Sequence, residues 1–177
     1  TEFTFRLHEG VTFHDGTPAT SSDVVATYEA ILNPDIPSSA LSVLNMIDSV
    51  EAVDDLTVKF KLSSPFADFP TSTAHANARI ISEEALSGDL TKLDTVVNGT
   101  GPFKMESYDS ARITRLVRNK DYFSEGKPYL DAVEMHLFPD LAAETTNFLS
   151  GDIDVMLLVQ QADYARISST LGINALR

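Results

Sequence analysis

The sequence contains no cysteine among its 177 residues. This absence excludes disulfide bonds, thiolate nucleophiles, iron–sulfur clusters and zinc sites with cysteine ligands. Long hydrophobic runs are missing too, and the apolar runs present are far shorter than the roughly 20 residues of a transmembrane helix. An apolar fraction of 43% is nevertheless typical of a folded globular domain rather than of a disordered chain. The length fits one domain, or one domain and part of another.

Basic residues are scarce, since 13 Lys and Arg stand against 26 Asp and Glu and give a formal net charge of −13. Such a charge repels both the phosphate backbone of nucleic acids and an anionic membrane surface. We therefore expect no nucleic-acid partner. The acidity is typical of a solvated protein surface, and attraction of cationic ligands is the alternative interpretation.

Signatures of catalysis and metal binding are also lacking. The Gly-x-Ser-x-Gly motif of hydrolases is absent, and the four histidines show no paired spacing of the kind that metal ligands need. The glycine-rich turn Asn98–Pro102 leads into a predicted strand, whereas a phosphate-binding loop requires a lysine and a hydroxyl at the start of a helix. Asp152 and Asp154 are expected on one face of one short strand, which does not suit a carboxylate pair that acts across a cleft. We predict no catalytic residue, no metal site and no cofactor.

Hydrophobic periodicity predicts a mixture of strands and helices. Helix 21–32 has a capping box of Thr20 and Asp23 at its start and ends before Pro34, and Val58, Phe60 and Leu62 alternate with polar residues in strand 57–62. The other predicted helices are 40–46, 82–86, 140–149 and 161–171, and the other predicted strands are 4–7, 50–53, 79–81, 103–108, 112–118, 130–138 and 153–157. The pattern changes near residues 93–98. We therefore predict a helix-and-hairpin subdomain in residues 1–96 and a strand-rich portion in residues 97–177.

Four short stretches carry most of the remaining information. They are Phe13–Pro18 (FHDGTP), Gly99–Phe103 (GTGPF), Arg118–Phe123 (RNKDYF) with Gly126–Asp131 (GKPYLD), and Gly151–Asp154 (GDID). Their order and spacing resemble the family 5 extracellular solute-binding proteins, the receptors for peptides, nickel and oligosaccharides that supply ABC importers. The resemblance runs from about Phe3 to about Leu171. It departs at Lys120 and Phe123, where the family frequently has proline and tryptophan, but an aromatic ring is kept.

The resemblance implies a fold and a function. The fold class is α/β (mixed α+β), as part of the first lobe of a type II periplasmic-binding-protein fold with a mixed sheet and flanking helices. The chain is then expected to be an internal fragment, with the second lobe and any signal or lipid anchor outside it. The implied function is capture of a peptide, a nickel complex or an oligosaccharide between two lobes and delivery to the ABC permease membrane subunits. The implied location is periplasmic, or extracellular and membrane-associated.

Two other classes of function stay open. One is a small α/β hydrolase or transferase domain, which requires titratable groups that converge in one pocket. The other is an interaction module that a protein partner recognises through its acidic face.

Two segments supply candidate ligand-binding residues. In the resembled family the chain after the stretch like Gly151–Asp154 leads towards the cleft between the lobes, which makes Met156, Leu157 and Leu158 candidates. Their apolar character fits a pocket wall and also fits an ordinary core. Thr73, His75 and Asn77 lie in a run of small and polar residues between structured elements, and they are candidates for the rim of the site.

Overall fold

The computed structural model describes residues 1–94 and 97–170. In chain order the elements are β1 (Glu2–Arg6), α1 (Ser21–Leu32), α2 (Leu41–Leu44), β2 (Ile47–Asp54), β3 (Thr57–Leu62), α3 (Phe69–Thr73), α4 (Glu83–Ser87), a 3-10 turn (Leu90–Asp94), β4 (Phe103–Tyr108), β5 (Ile113–Arg118), β6 (Ala132–His136), α5 (Leu141–Ser150) and α6 (Gln161–Thr170). The predicted mixture of strands and helices is confirmed.

The first sheet is antiparallel with the strand order β1-β3-β2, so the hairpin strand β3 is its centre. In β3 the side chains of Val58, Phe60 and Leu62 are buried, as the alternation of the sequence predicts. Phe5 pairs with Val58, and Val50 pairs with Phe60. One face of the sheet therefore forms the floor of a hydrophobic core.

Helix α1 covers that core with Val24, Tyr28 and Ile31, which are all buried. It begins after Thr20 because the backbone N–H of Thr20 donates to Asp23 Oδ2 at 2.8 Å, which satisfies part of the capping box. The predicted bounds of α1 are confirmed.

The second sheet has the strand order β4-β5-β6. Helix α5 follows it and is capped by Asp140, whose Oδ1 accepts the N–H of Ala143 at 2.8 Å. Gly151 caps its C-terminal end, with a φ of +84° in the left-handed region that favours glycine.

The chain forms two compact units. Unit 1 contains Thr1–Glu106 and Leu116–Val133, and unit 2 contains Ser107–Arg115 and the described part of the chain from Glu134 onwards. Unit 1 holds the first sheet, helices α1 to α4 and the core described above. The subdomain division predicted between residues 96 and 97 stays a prediction.

Two predicted strands are wrong. Residues 79–81 are not a strand because the side chain of Thr27 takes the place of a strand neighbour: the N–H of Ile81 donates to Thr27 Oγ1 at 2.9 Å, and that hydroxyl donates to Ile81 O at 3.0 Å. Residues 153–157 are not a strand either, because the preceding turn closes on helix α5 through a bond from Asp152 N–H to Asn147 O at 2.9 Å. Asp152 and Asp154 therefore do not share the face of a strand.

Candidate ligand-binding surfaces

A cavity of about 320 Å³ opens in unit 1 beneath the segment after α3. Its floor is apolar and buried, and its rim includes the exposed residues Ala74, His75 and Arg79. The lining residues are Phe5, Leu7, Val24, Tyr28, Val58, Phe60, Thr73, Ala74, His75, Ala78, Arg79 and Ile80. The exposed rim places the mouth of the cavity at the surface of unit 1.

Two of the three candidates in this segment line the cavity. Thr73 is the last residue of α3, and its hydroxyl donates to Pro70 O at 2.8 Å. His75 Nδ1 accepts the N–H of Asn77 at 3.2 Å, which leaves Nε2 to carry the proton of the neutral ring. Asn77 does not line the cavity, because its side chain donates to Ser39 Oγ at 2.8 Å. A ligand-binding role for these three residues stays a prediction.

Tyr28 is a cavity residue that the sequence did not indicate. Helical spacing places it on the buried face of α1, where it is 2% exposed, yet its ring also lines the cavity. Burial raises the pKa of its hydroxyl to about 12. The phenol is therefore neutral at physiological pH and can donate a hydrogen bond.

Met156, Leu157 and Leu158 lie in unit 2, in the segment between α5 and α6. Leu157 is 91% exposed and Leu158 is 70% exposed, while Met156 is half-buried. The interpretation of Leu157 and Leu158 as core residues is therefore wrong. Their role in a pocket wall stays a prediction. A second open cavity, of about 450 Å³, follows directly along the chain and is lined by Val159, Gln161, Tyr164 and Ala165.

The family-like turns are joined by a network of hydrogen bonds in unit 1, which we call the turn clasp. The backbone N–H of His14 donates to Gly99 O at 2.8 Å, and the N–H of Gly99 donates to His14 Nδ1 at 3.4 Å. The other ring nitrogen, Nε2, then donates to Gly101 O at 3.0 Å. Beside them, Asn98 Nδ2 donates to Asp15 Oδ2 at 2.6 Å. The imidazole of His14 is thus held at both nitrogens by backbone groups.

The turn at Asn119 completes the turn clasp. Asn119 is 1% exposed, its Nδ2 donates to Gly101 O at 3.0 Å, and its Oδ1 accepts the N–H of Asp121 at 3.1 Å. Lys104 Nζ donates to His14 O at 3.0 Å and lies 3.6 Å from Asp121 Oδ2. Asn119 thus organises this turn through its side chain. The polar groups of the turn clasp bind one another, so these motifs act as structural elements.

Within residues 1–94 and 97–170, no cluster of three or more His, Asp and Glu side chains is placed to hold a metal ion. None of the helices in this part of the chain combines the length and apolar character needed to cross a membrane.

The family described as bacterial extracellular solute-binding proteins, family 5 Middle, matches residues 1–175. The chain belongs to this family. The resemblance carried by the four stretches is thereby confirmed.

Curated relatives of the same family share about a third of their residues with this chain over the matched region. The glutathione-binding protein GsiB of Pectobacterium atrosepticum is 34% identical over 131 residues, which are 74% of this chain and 26% of the relative. The oligopeptide-binding protein AppA of Bacillus subtilis is 34% identical over 157 residues, which are 84% of this chain and 28% of the relative. The chain thus spans roughly a quarter of the length of these relatives.

Solved structures of binding proteins share the fold. The periplasmic binding protein AgaA of A. tumefacien R10, solved with agropinic acid, superposes with a TM-score of 0.86 at 33% identity and covers 94% of this chain and 34% of its own. AppA of Bacillus subtilis, solved with a nonapeptide, gives a TM-score of 0.83 at 31% identity and covers 96% of this chain and 34% of its own. The predicted fold class, a mixed α/β arrangement of the type II periplasmic-binding-protein kind, is confirmed.

Proposed function

We propose that this chain is part of the solute-binding component of an ABC importer, which captures a peptide or a similar small solute in a cleft between two lobes and delivers it to the membrane permease. The supporting observation is the family match over residues 1–175. Two relatives are named for glutathione and for oligopeptides, and both of these cargoes are peptides. Peptide is therefore the first cargo to test, ahead of a nickel complex or an oligosaccharide.

Binding in such a receptor draws its energy from burial of the solute when the lobes close. Leu157 and Leu158 suit this role because they are exposed apolar side chains in the structure. Complete burial of one leucine side chain contributes about 1.5–3 kcal/mol, so two of them would form a substantial apolar wall. Thr73, His75 and Asn77 would add polar contacts at the rim, and Met156 would extend the wall.

The site of action follows from the same reasoning. Members of the family are extracellular solute-binding proteins. We infer that the protein works in the periplasm or at the outer surface of the membrane, in contact with the permease subunits of the importer. The net charge of −13 disfavours a nucleic-acid partner. The function requires no cofactor and no catalytic step.

The test is a thermal-shift and calorimetric screen of the complete product of the reading frame that encodes this chain. The solutes are glutathione, a nonapeptide, a nickel chelate and an oligosaccharide. We expect a peptide at about 100 times its dissociation constant to add about 2.7 kcal/mol to the free energy of unfolding. Stabilisation by the nickel chelate or the oligosaccharide alone would correct the cargo, and no stabilisation by any of the four would contradict the proposal.

Matched variants then locate the apolar wall. Leu157→Ala and Leu158→Ala are expected to weaken peptide binding, while Val53→Ala serves as the control because Val53 is also an exposed apolar residue, at 61%. Equal affinity for all three variants would remove Leu157 and Leu158 from the site. Mass spectrometry of the incubated peptides provides the check on catalysis, since cleaved products would favour the hydrolase interpretation.

A further inference from the structure

The cavity of unit 1 has the features of a binding site for a small molecule. Its volume of about 320 Å³ lies at the lower end of the range of ligand pockets, which suits one aromatic ring or a branched alkyl group. Val24, Tyr28, Val58 and Phe60 in its lining are each at most 7% exposed. These side chains belong to the core of unit 1, so the floor is apolar and held in place by packing.

One polar atom in this apolar lining is without a partner. The hydroxyl of Tyr28 makes no hydrogen bond with another described residue, although Tyr28 as a whole is only 2% exposed. Burial is also the cause of the raised pKa of this hydroxyl, with no hydrogen bond contributing to it. Among the described residues, Ser168 Oγ is the fully enclosed side-chain atom without a partner, so the Tyr28 hydroxyl oxygen keeps access to solvent, and its ring lines the cavity. A hydrogen-bond acceptor on a bound molecule would satisfy the Tyr28 hydroxyl.

The charge at the rim is positive, in contrast to the rest of the chain. The lining includes Arg79 and no acidic residue, although the sequence has twice as many acidic as basic residues. Arg79 is exposed, and its guanidinium makes no ion pair or hydrogen bond with any other described residue. A carboxylate is the group that complements a guanidinium, because it can accept two parallel N–H donors.

We propose that this cavity binds a small molecule with an apolar body and a carboxylate group. The apolar body would lie over the floor to which Tyr28 and Phe60 contribute, whose rings pack edge to face with centroids 4.8 Å apart, and the carboxylate would lie at the rim beside Arg79. An acceptor oxygen of the same molecule would take the hydrogen bond of the Tyr28 hydroxyl. This inference rests on the geometry of unit 1, and it shares Thr73 and His75 with the rim of the proposed solute site.

The test uses 3-phenylpropionate as the probe, titrated into the isotope-labelled complete gene product at about 0.15 M salt, where exposed charges beyond roughly 8 Å are screened. We expect saturable binding with chemical-shift changes in the amides of residues 73–80, the segment over the cavity. The amide analogue, 3-phenylpropanamide, retains the apolar body and lacks the charge. It should bind about two- to fivefold more weakly, since an exposed ion pair contributes little.

Matched variants assign the two polar contacts. Tyr28→Phe should weaken binding of 3-phenylpropionate by about two- to tenfold, which corresponds to one neutral hydrogen bond. Arg79→Gln should weaken it by about two- to fivefold and should abolish the preference for the acid over the amide. The controls are Tyr129→Phe, at a tyrosine that is 81% exposed, and Arg112→Gln, at an exposed arginine of unit 2.

Three results would overturn the proposal: no saturable binding, shift changes that miss residues 73–80, or equal affinity for wild type, Tyr28→Phe and Arg79→Gln. Circular dichroism checks that each variant is folded. If Tyr28→Phe does not fold, the chemical-shift map and the affinity of Arg79→Gln test the proposal without it. A protein that binds peptides but not 3-phenylpropionate would refute this inference and leave the solute-binding proposal intact.

Discussion

The carboxylate of Asp23 links the first turns of two helices, and its replacement by asparagine tests how much this link stabilises unit 1. Oδ2 accepts the N–H of Thr20 at 2.8 Å, and Oδ1 accepts the N–H of Glu83, sixty residues further along the chain, at 2.9 Å. The side chain is 7% exposed, so water cannot replace either bond. Asp23 therefore caps α1 and also holds the start of α4 against it.

The magnitude follows from these two bonds. A hydrogen bond to a charged group contributes about 1.5–3 kcal/mol net. Asparagine keeps one acceptor oxygen and places an NH₂ group opposite the second backbone N–H. One hydrogen bond is therefore lost, and the remaining bond is made to a neutral acceptor instead of a charged one. We expect Asp23→Asn to lower the free energy of unfolding by about 2–3 kcal/mol, out of the 5–15 kcal/mol typical of a folded domain.

The assay is urea unfolding followed by far-ultraviolet circular dichroism. With a slope of about 1–3 kcal/mol per molar urea, a loss of about 2–3 kcal/mol should lower the midpoint by about 0.7–3 M. Asp35→Asn is the control, because it removes the same charge at an exposed side chain that makes none of the hydrogen bonds of the described residues. It should stay within about 0.5 kcal/mol of wild type. Equal midpoints for Asp23→Asn and wild type would refute the reasoning, and an equal loss in both variants would assign the effect to net charge.

Two further predictions concern unit 1. Phe69→Ala should lower the free energy of unfolding, measured with urea, by about 3–5 kcal/mol. The reason is that Phe69 is fully buried, with its ring centroid 5.1 Å from that of Phe3 and 5.3 Å from that of Phe60. A loss below about 1 kcal/mol would contradict this packing. The hydroxyl and the backbone N–H of Thr17 lower the pKa of Asp15 below its ordinary 3.8. The ionised Asp15 carboxylate therefore stabilises the folded state above about pH 4, and this contribution is lost as the pH falls through the lowered pKa of the folded protein. The difference in free energy of unfolding between wild type and Asp15→Asn should shrink from about pH 5 to about pH 3 in urea unfolding.

Elements with local signals were predictable from the sequence. The bounds of α1 follow from the Thr20 and Asp23 capping box and from Pro34, and these signals act within one turn of the helix. The buried face of β3 follows from strict alternation. Residues 79–81 show the limit of such reasoning. Ile80 and Ile81 are typical of a strand, yet the backbone of Ile81 is bonded to the Thr27 side chain, 54 residues away. Only the tertiary structure specifies that pairing.

The cavity could not be predicted for a similar reason. Helical spacing correctly assigns Tyr28 to the buried face of α1, but it cannot show that the ring also borders an opening. That opening depends on the path of residues 73–80 over the sheet, and sequence periodicity contains no information on the path of a loop. The polarity of the run around His75 did indicate an exposed segment, which is why Thr73 and His75 were candidates.

The turn clasp explains why the family could be recognised from short motifs while the cargo could not. His14, Gly99, Gly101 and Asn119 direct their polar groups at one another, so these residues specify the geometry of the scaffold and have little left to offer a ligand. Two solved structures that share this scaffold hold agropinic acid and a nonapeptide, which are chemically unlike. Cargo specificity would then come from side chains outside the turn clasp. Segments 73–77 and 156–158 stay predicted contacts for a solute, and the side-chain hydrogen bonds of Thr73, His75 and Asn77 are separate from those that join the turns.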